Sequence, residues 1–249
     1  MRKVYRGDLI RFQRLCDLYK KQKRNFKVER SGTVAKIFME NREMFFIDKS
    51  SKNNEVPKLC KSVIFDVKKW VLENPKIELD CKKVVFHNRE NILNHISKTV
   101  VGYDIISCYW EIAYRDKIIS KKTYESGVKN KEARTLAIGN LNKKTYQIVY
   151  SGQNESKKIL ESKYSSAYNY IIKEVQKMYN DLNILFRSKI LSWRTDCIYL
   201  PKGNEVEIKK YFESKKLQIK SSEIKILQCV KNKVYIEKQK DKKQVIWNL

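Results

Sequence analysis

The sequence predicts an α+β fold in which a mostly antiparallel sheet is backed by helices. Four short runs near the C-terminus alternate apolar with other residues as strands do, at positions 217–219, 224–230, 233–237 and 244–247. The segment 156–182 carries its apolar residues on one side, which is typical of a long helix packed under a sheet. The 249 residues include 7 Gly and 3 Pro, and this scarcity disfavours a sandwich rich in tight turns.

The charge balance points to a polyanionic partner. The chain has 54 Lys and Arg against 28 Asp and Glu, which gives a formal net charge of +26. Such an excess repels itself in a compact fold, and nucleic acid is the partner that best offsets it. A Lys-rich codon bias would also raise the lysine count, but it should raise Glu as well, and the acidic residues have not kept pace.

Cysteine usage and hydropathy indicate the compartment. The six Cys form no C-x-x-C pair and the chain has two His, so a structural zinc site is disfavoured. Scattered single thiols fit a reducing cytosol. No run approaches the ~20 apolar residues of a membrane span, and the N-terminus lacks the apolar core of a signal peptide. We expect a soluble cytoplasmic protein without a membrane partner.

The region 1–98 is predicted to be mainly helical, and no function follows from it. Helices are expected at 4–24, 33–41, 63–72 and 90–96, a loop at 49–55 and a strand at 84–86.

Two aspartates stand where predicted strands end or turn. An apolar run from Thr99 to Asp104 predicts a short buried strand that carries one carboxylate at its tip. Asp196 lies in a second strand-like run, within a predicted hairpin at 184–200. Two carboxylates on neighbouring strands can hold divalent metal for phosphate chemistry.

Helices are predicted to follow the central strand. Short ones are expected at 109–113, 121–126 and 205–215. A longer one at 130–144 carries Lys131 and Arg134 on neighbouring faces. Gly139 lies inside it, where Gly costs roughly 1 kcal/mol relative to Ala. A glycine at such a position often means that another group approaches closely.

Four short motifs, taken in order, resemble those of family B DNA polymerases. Asp104-Ile-Ile-Ser107-Cys-Tyr109 resembles the first palm motif, Asp-x-x-Ser-Leu-Tyr-Pro, with Trp in place of Pro. Lys131-x-x-x-Thr-x-x-Ile-Gly139 looks like the motif of the fingers helix, Lys-x-x-x-Asn-Ser-x-Tyr-Gly.

The other two motifs lie downstream. Arg194-Thr-Asp196 is similar to the Asp-Thr-Asp hairpin of the family, and Lys233-Val-Tyr235 resembles its Lys-x-Tyr motif, especially in protein-primed members. The resemblance spans positions 100–237, and no acidic exonuclease motif precedes it.

The resemblance implies a domain organisation. Residues 99–117 and 156–203 would form the palm, and 118–155 a short helical fingers insertion. Residues 204–249 would extend the palm or form a thumb-like segment, after the mainly helical region 1–98.

The resemblance also implies two-metal nucleotidyl transfer. Asp104 and Asp196 would bind two Mg²⁺ (or Mn²⁺) ions that activate the primer 3′-hydroxyl and stabilise charge on the transferred phosphate. Ser107 and Tyr109 would belong to the nucleotide-binding turn. The triphosphate would rest on backbone amides after Asp104, and Tyr109 would lie beneath the sugar and exclude a 2′-hydroxyl.

The remaining motif residues would bind nucleotide or nucleic acid. Lys131 and Arg134 would neutralise the triphosphate, and Gly139 would allow close approach to the nascent base pair. Lys233 and Tyr235 would hold the primer terminus.

Arg194 departs from the family pattern, because the hairpin has Asp at that place. A cation beside bound metal would weaken the site unless it points away or contacts nucleic-acid phosphate. We expect the second, which makes Arg194 a candidate nucleic-acid-binding residue.

The sequence therefore predicts a minimal, exonuclease-lacking, template-directed DNA polymerase for the replication of a phage or mobile element. Its partners would be primer–template nucleic acid, deoxynucleoside triphosphates and an accompanying replication protein. An alternative is a catalytically inactive palm-derived protein that holds nucleic acid or a replication partner, which Arg194 and the altered fingers motif favour. A third is another nucleotidyltransferase or a nuclease that uses the same two carboxylates.

Overall fold

A computed structural model describes residues 4–7, 9–31, 34–40, 42–47, 55–74, 77 and 85–248. The loop predicted at 49–55 lies outside these residues except for its last position, and so does the first position of the strand predicted at 84–86.

The elements confirm the α+β class. In chain order they are β1 (Val4–Gly7), α1 (Leu9–Lys21), β2 (Phe26–Ser31), β3 (Val34–Met39), β4 (Arg42–Ile47), α2 (Glu55–Glu73), β5 (Val85–His87), α3 (Arg89–Leu93), β6 (Thr99–Ile105), α4 (Cys108–Arg115), α5 (Lys121–Val128), α6 (Lys131–Gly139), β7 (Thr145–Ser151), β8 (Asn154–Leu160), α7 (Ser165–Phe186), β9 (Ser192–Arg194), β10 (Cys197–Pro201), α8 (Glu205–Ser214), β11 (Ile219–Val230), β12 (Lys233–Lys238) and β13 (Gln244–Asn248).

The chain forms two compact units. The first comprises Met1–Leu72 and Glu125–Tyr168, and the second comprises Glu73–Tyr124 and Asn169–Leu249. These divisions differ from the predicted boundaries, because the segment 118–155 is split between the units. The names palm and fingers stay predictions for these parts of the chain.

The first unit is built on a six-stranded sheet in the order β1-β4-β3-β2-β7-β8. All neighbours are antiparallel except β1 and β4, which are parallel. Helix α1 contributes Phe12 and Cys16 to a core that contains Phe26 and Phe46 from the sheet. The rings of Phe12 and Phe46 meet edge to face, with centroids 5.4 Å apart.

The second unit is built on a seven-stranded antiparallel sheet in the order β13-β12-β11-β6-β10-β9-β5. Strand β6 is central, as the apolar run from Thr99 predicted. Strand β11 pairs with β6 through its first half and with β12 through its second half, and its register shifts between Ile226 and Gln228.

Alternation along β6 separates the two faces of this sheet. One face carries buried Val101, Tyr103 and Ile105, and on the same side the ring of Tyr179 from α7 packs edge-on against Trp193 of β9. The other face carries Val100, Gly102 and Asp104. Near Val100 it is covered by an apolar cluster: Ile92, Val100, Leu191, Ile224, Ile226, Val234, Ile236 and Trp247.

Three predictions about the N-terminal region were wrong. In the helix expected at 4–24, Val4–Gly7 instead forms β1. The segment 33–41 was expected to be a helix, but its residues Val34–Met39 form β3, in which Ala35 and Ile37 are fully buried and Lys36 between them is not. This two-residue period is that of a strand pairing on both sides. Because four strands lie within the first 47 residues, the region is mixed rather than mainly helical.

The extents of two predicted helices also needed correction. The helix expected at 130–144 ends at Gly139, and the helix expected at 156–182 begins at Ser165. Between them β7 and β8 form a hairpin that pairs with β2. Strand β8 is polar and exposed along most of its length, so it lacks the alternation that predicts a strand.

Within the described part of the chain, no helix is long and apolar enough to cross a membrane.

Candidate functional site

Asp104 and Asp196 are brought together by the pairing of two antiparallel strands. Asp104 is the penultimate residue of β6, and it lies directly opposite Cys197, the first residue of β10. The amide of Ile105 donates a hydrogen bond to the carbonyl oxygen of Asp196 at 2.9 Å. The two aspartates predicted as a pair are therefore neighbours in the second unit.

The turn between β9 and β10 presents Asp196. Arg194 and Cys197 are cross-strand partners, so Thr195 and Asp196 form a two-residue hairpin turn. Thr195 adopts a left-handed backbone conformation, with φ of 57°. The side chain of Trp193 donates a hydrogen bond from Nε1 to the carbonyl of Thr195 at 3.1 Å, which fixes the turn against the sheet.

One row of residues crosses the sheet at the height of Asp104. Arg194 lies opposite Cys197, Cys197 opposite Asp104, and Asp104 opposite Lys220 of β11. Directly opposed residues of antiparallel strands place their side chains on the same face. On one side of Asp104, the adjacent strand carries Lys220. On the other side, Arg194 lies two strands away, and the backbones of β6 and β9 are about 10 Å apart.

Lys220 forms an ion pair with Asp104 that the sequence did not reveal. Its Nζ lies 2.7 Å from Oδ2 of Asp104. The Asp104 side chain is 30% exposed and the Lys220 side chain 64% exposed. The hydrogen bond to Asp104, then the negative charge of Asp104 and that of Asp196, raise the pKa of Lys220, so the lysine stays protonated.

The negative charges of Asp104 and Asp196 contribute to the raised pKa values of two thiols. Burial, followed by the charges of Asp196 and Asp104, raises the pKa of Cys108 at the start of α4 well above its ordinary value. Burial is also the main cause that raises the pKa of Cys197 to about 12, and both aspartates add to it. These thiols stay neutral, so the site's anionic groups are its carboxylates.

Arg194 lies on the same face as Asp104 rather than pointing away from it. Its positive charge lowers the pKa of His87, after the larger effect of burial, and it also acts on Tyr199. These two side chains belong to β5 and β10, on either side of Arg194. The guanidinium therefore lies above the sheet, over the flank opposite Lys220.

Gly102 is needed for the packing beside the aspartates. It lies opposite Tyr199 of β10, and a Cβ placed on Gly102 would lie 2.7 Å from Cε1 of that ring. The ring of Tyr199 also packs against Trp247, at 4.5 Å between centroids. Gly102 thus leaves room for the ring of Tyr199 on the face of the sheet that carries Asp104.

Ser107 and Tyr109 follow the strand in the predicted turn. Ser107 is the N-cap of α4 and has a left-handed backbone, with φ of 53°. Its carbonyl accepts hydrogen bonds from the amides of Trp110 at 2.8 Å and Glu111 at 3.0 Å. The strand therefore turns directly into a helix whose N-terminus, the positive end of its dipole, follows Asp104 by four residues.

The fingers-like residues lie in the first unit. Lys131 is the exposed first residue of α6, which Asn130 caps by accepting a hydrogen bond from the amide of Ala133 at 2.9 Å. The guanidinium of Arg134 donates to the backbone carbonyls of Gly127, at 3.2 Å, and Val128. Arg134 therefore already has a structural role, as a clamp on the end of α5.

Gly139 does not accommodate a close neighbour in the described part of the chain. It is the exposed last residue of α6, not an interior one, and a Cβ on it would meet no atom of the described residues within 4 Å. Its proposed role beside a base pair stays a prediction.

Lys233 and Tyr235 are not brought to Asp104. On β12 they alternate with Val234 and Ile236, whose side chains enter the apolar cluster, so the motif residues lie on the other side of the strand. Tyr235 pairs with Gln228, whereas Asp104 pairs with Lys220 of the same strand β11. Gln228 and Lys220 are eight residues apart along β11, a separation of about 26 Å in an extended strand. The lysine that meets the catalytic candidate is Lys220, whose position depends on a register that no local motif encodes.

The two carboxylates can bind a divalent cation only if water and substrate phosphates complete its coordination shell. Among the described residues, no three His, Cys, Asp or Glu form a group that could hold a metal ion. Mg²⁺ commonly takes one or two carboxylates, keeps several waters and uses substrate phosphates for the rest of its shell. Asp104 and Asp196 match that pattern in chemical type and place.

Comparison of the chain with protein-family models, with curated proteins and with solved structures finds no match. The geometry around Asp104 and Asp196 is therefore the basis for a functional proposal.

Proposed function

We propose that the chain is a template-directed nucleotidyltransferase, a compact DNA polymerase whose catalytic carboxylates are Asp104 and Asp196. The observation that carries this proposal is the pairing of β6 with β10, which joins Ile105 to Asp196 by a backbone hydrogen bond of 2.9 Å. It brings a carboxylate at the end of β6 next to a carboxylate in the turn before β10. Two neighbouring carboxylates can hold the metal ions that assist phosphoryl transfer.

The residues around the pair suit a nucleotide. When Mg²⁺ or Mn²⁺ is bound, Asp104 and Asp196 would hold it, and it would supply charge neutralisation for the transferred phosphate. The N-terminus of α4 follows Asp104 and orients its dipole favourably for an anion. Tyr109, in the first turn of that helix, is half-buried, and it would contact the sugar.

Charge supports nucleic acid as the larger ligand. The net charge of +26 favours binding to a nucleic acid whatever its base sequence. Arg194 lies on the face of the sheet that carries Asp104, and its planar guanidinium suits a phosphate. We assign Arg194 to the nucleic-acid backbone, which would reconcile a cation in the hairpin with metal binding nearby.

Primer extension tests this function. The purified chain is given a primed template of known sequence, four deoxynucleoside triphosphates and Mg²⁺, then Mn²⁺, and the products are sequenced. We expect added nucleotides that are complementary to the template, and none from an Asp196→Asn preparation purified in the same way. Extension by both preparations would indicate a contaminant or a site elsewhere.

A second candidate is a protein that holds nucleic acid without chemistry. The ion pair between Lys220 and Asp104 favours it, because a lysine occupies the carboxylate that metal would need. This candidate predicts duplex binding that weakens roughly a thousandfold between 50 and 200 mM salt if about six phosphates are contacted. The same binding would be unchanged by Asp104→Asn, with no nucleotide incorporated under either ion.

A further inference from the structure

We propose that Lys220 is a resident counterion of Asp104 that a divalent cation has to displace, so that this lysine sets the metal concentration at which the site fills. The proposal rests on the proposed function, since it assigns metal binding to Asp104. It adds a positioning residue that none of the four polymerase-like motifs contains.

The ion pair between Lys220 and Asp104 follows from the pairing of two strands. Lys220 and Asp104 are directly opposed residues on neighbouring antiparallel strands, and their partners on either side are paired in the same register. The Nζ to Oδ2 distance of 2.7 Å is that of a strong charge-assisted hydrogen bond. The backbone register therefore keeps Lys220 within reach of the Asp104 carboxylate.

The same contact places the lysine in competition with metal. A carboxylate offers its lone pairs to ammonium and to divalent cation alike, and a cation beside the site also repels an arriving one. Metal coordination by Oδ2 therefore requires Lys220 to withdraw. The lysine can do so, because its side chain is 64% exposed and its stem is flexible, whereas Asp104 is held in the sheet.

The other cations of the sheet do not share this position. Arg194 lies two strands away from Asp104 across Cys197. Lys202 forms an ion pair of similar length, 2.8 Å, with Glu223, but Glu223 lies opposite Val101 and so on the other face. Lys202, in the turn directly after β10, is therefore a matched control: an exposed lysine that forms an ion pair with Glu223 and not with Asp104.

The test measures metal binding without turnover. Mn²⁺ alone is titrated into isotope-labelled protein, and paramagnetic broadening of the backbone amide signals of β6 and β10 reports its occupancy near Asp104. The parent is compared with Lys220→Met, Lys220→Arg, Lys202→Met and the double variant Lys220→Met with Asp104→Asn. Signals of the first unit serve as the internal reference for non-specific Mn²⁺.

We expect Lys220→Met to reach half-maximal broadening at a Mn²⁺ concentration roughly threefold to tenfold lower than the parent, as loss of an exposed ion pair and of a neighbouring charge allows. Lys220→Arg, which keeps the charge, and Lys202→Met should match the parent. The added Asp104→Asn should abolish the gain. An unchanged midpoint in Lys220→Met, or an equal shift in Lys202→Met, would overturn the proposal.

The outcome is separate from that of the proposed function. If no variant extends a primer but Lys220→Met binds Mn²⁺ more tightly, the counterion stands and the polymerase assignment falls. If the parent extends primers and Lys220→Met shows the same Mn²⁺ midpoint, the polymerase stands and the counterion falls.

Discussion

The ring of Tyr199 lies across the backbone of Gly102, so close that a Cβ on Gly102 would be 2.7 Å from its Cε1 atom. Gly102 is two residues from Asp104 on the same face of β6, and Tyr199 is two residues from Cys197, the partner of Asp104. Gly102 and Tyr199 thus form the cross-strand pair next to Asp104 and Cys197 on the same face of the sheet. Trp247 packs against Tyr199 as well, with ring centroids 4.5 Å apart, which restricts the movement of the ring.

We expect Gly102→Ala to lower the free energy of unfolding by about 1–3 kcal/mol, the usual cost of overpacking. Urea denaturation of the purified chain measures it. Gly139→Ala is the matched control, because nothing among the described residues lies within 4 Å of the added methyl group and the helical backbone suits Ala. It should be neutral or stabilising by up to about 1 kcal/mol.

A double-mutant cycle tests the cause of the Gly102 effect. Tyr199→Val removes the ring carbons that the new methyl group would meet. In that background the added cost of Gly102→Ala should shrink toward zero, so that the coupling energy exceeds the ~0.5 kcal/mol within which independent sites add. A cost that persists undiminished would show that Tyr199 is not what requires the glycine.

Arg115 ties the end of α4 to α7. Its guanidinium bonds both carboxylate oxygens of Asp116 at 2.7 Å and reaches Glu174 at 2.9 Å. Its side chain is 18% exposed, so Arg115→Met leaves two half-buried carboxylates without this partner. We expect a loss of about 1–3 kcal/mol in the free energy of unfolding, measured by urea denaturation.

Lys215→Met is the comparison for Arg115. Its ion pair with Asp181, at 3.1 Å, is more exposed, 32% for the lysine and 37% for the aspartate. Exposed pairs contribute little, so the loss should stay under about 1 kcal/mol. Equal losses in the two variants would argue that burial does not give the Arg115 network its strength.

His87 should make stability depend on pH. Burial, and then the charge of Arg194, lowers the pKa of His87 from its ordinary 6.5. The unfolded chain therefore takes up a proton that the folded chain resists, so the stability from this group is full above pH 6.5 and is lost as the pH falls below it. His87→Gln removes this contribution, which denaturation at pH 7.5 and pH 5.5 measures.

The comparison is between the two proteins, since other groups titrate in both. The parent should lose more stability than His87→Gln on going from pH 7.5 to pH 5.5. An equal loss in the two proteins would mean that His87 has no lowered pKa in the fold.

The elements that could be predicted are those whose sequence carries its own periodicity. The alternating strands β11 to β13 show it, and they are present. The continuous apolar run ending at Asp104 forms β6, and the hairpin around Asp196 is present but begins at Ser192, because the first residues of the predicted segment 184–200 belong to α7. These parts also supply the neighbouring aspartates of the candidate site. A short pattern was sufficient for β6 because the strand is buried on both faces and reads as a continuous apolar run, and for β12 because it buries alternate side chains.

The elements that were mistaken depend on partners far away in the chain. Strand β8 is polar except for its last two residues and is held by its pairing with β7, and β3 is held between β2 and β4. The pairing of Lys220 with Asp104 is of the same kind, because a shift of one residue in β11 would turn the lysine to the other face. Local pattern does not specify such register.

The central claim is that Asp104 and Asp196 act together in nucleotide addition, and single-turnover incorporation of one nucleotide tests it most directly. The parent, Asp104→Asn, Asp196→Asn and Asp241→Asn are compared at saturating Mg²⁺, with duplex binding measured by fluorescence anisotropy. Asp241 is an exposed aspartate of the second unit, between β12 and β13, and serves as the control. We predict a loss of more than about a hundredfold in rate for each of the first two variants. Binding should be retained in all, and Asp241→Asn should match the parent. Incorporation at the parent's rate by Asp104→Asn or Asp196→Asn would contradict the claim.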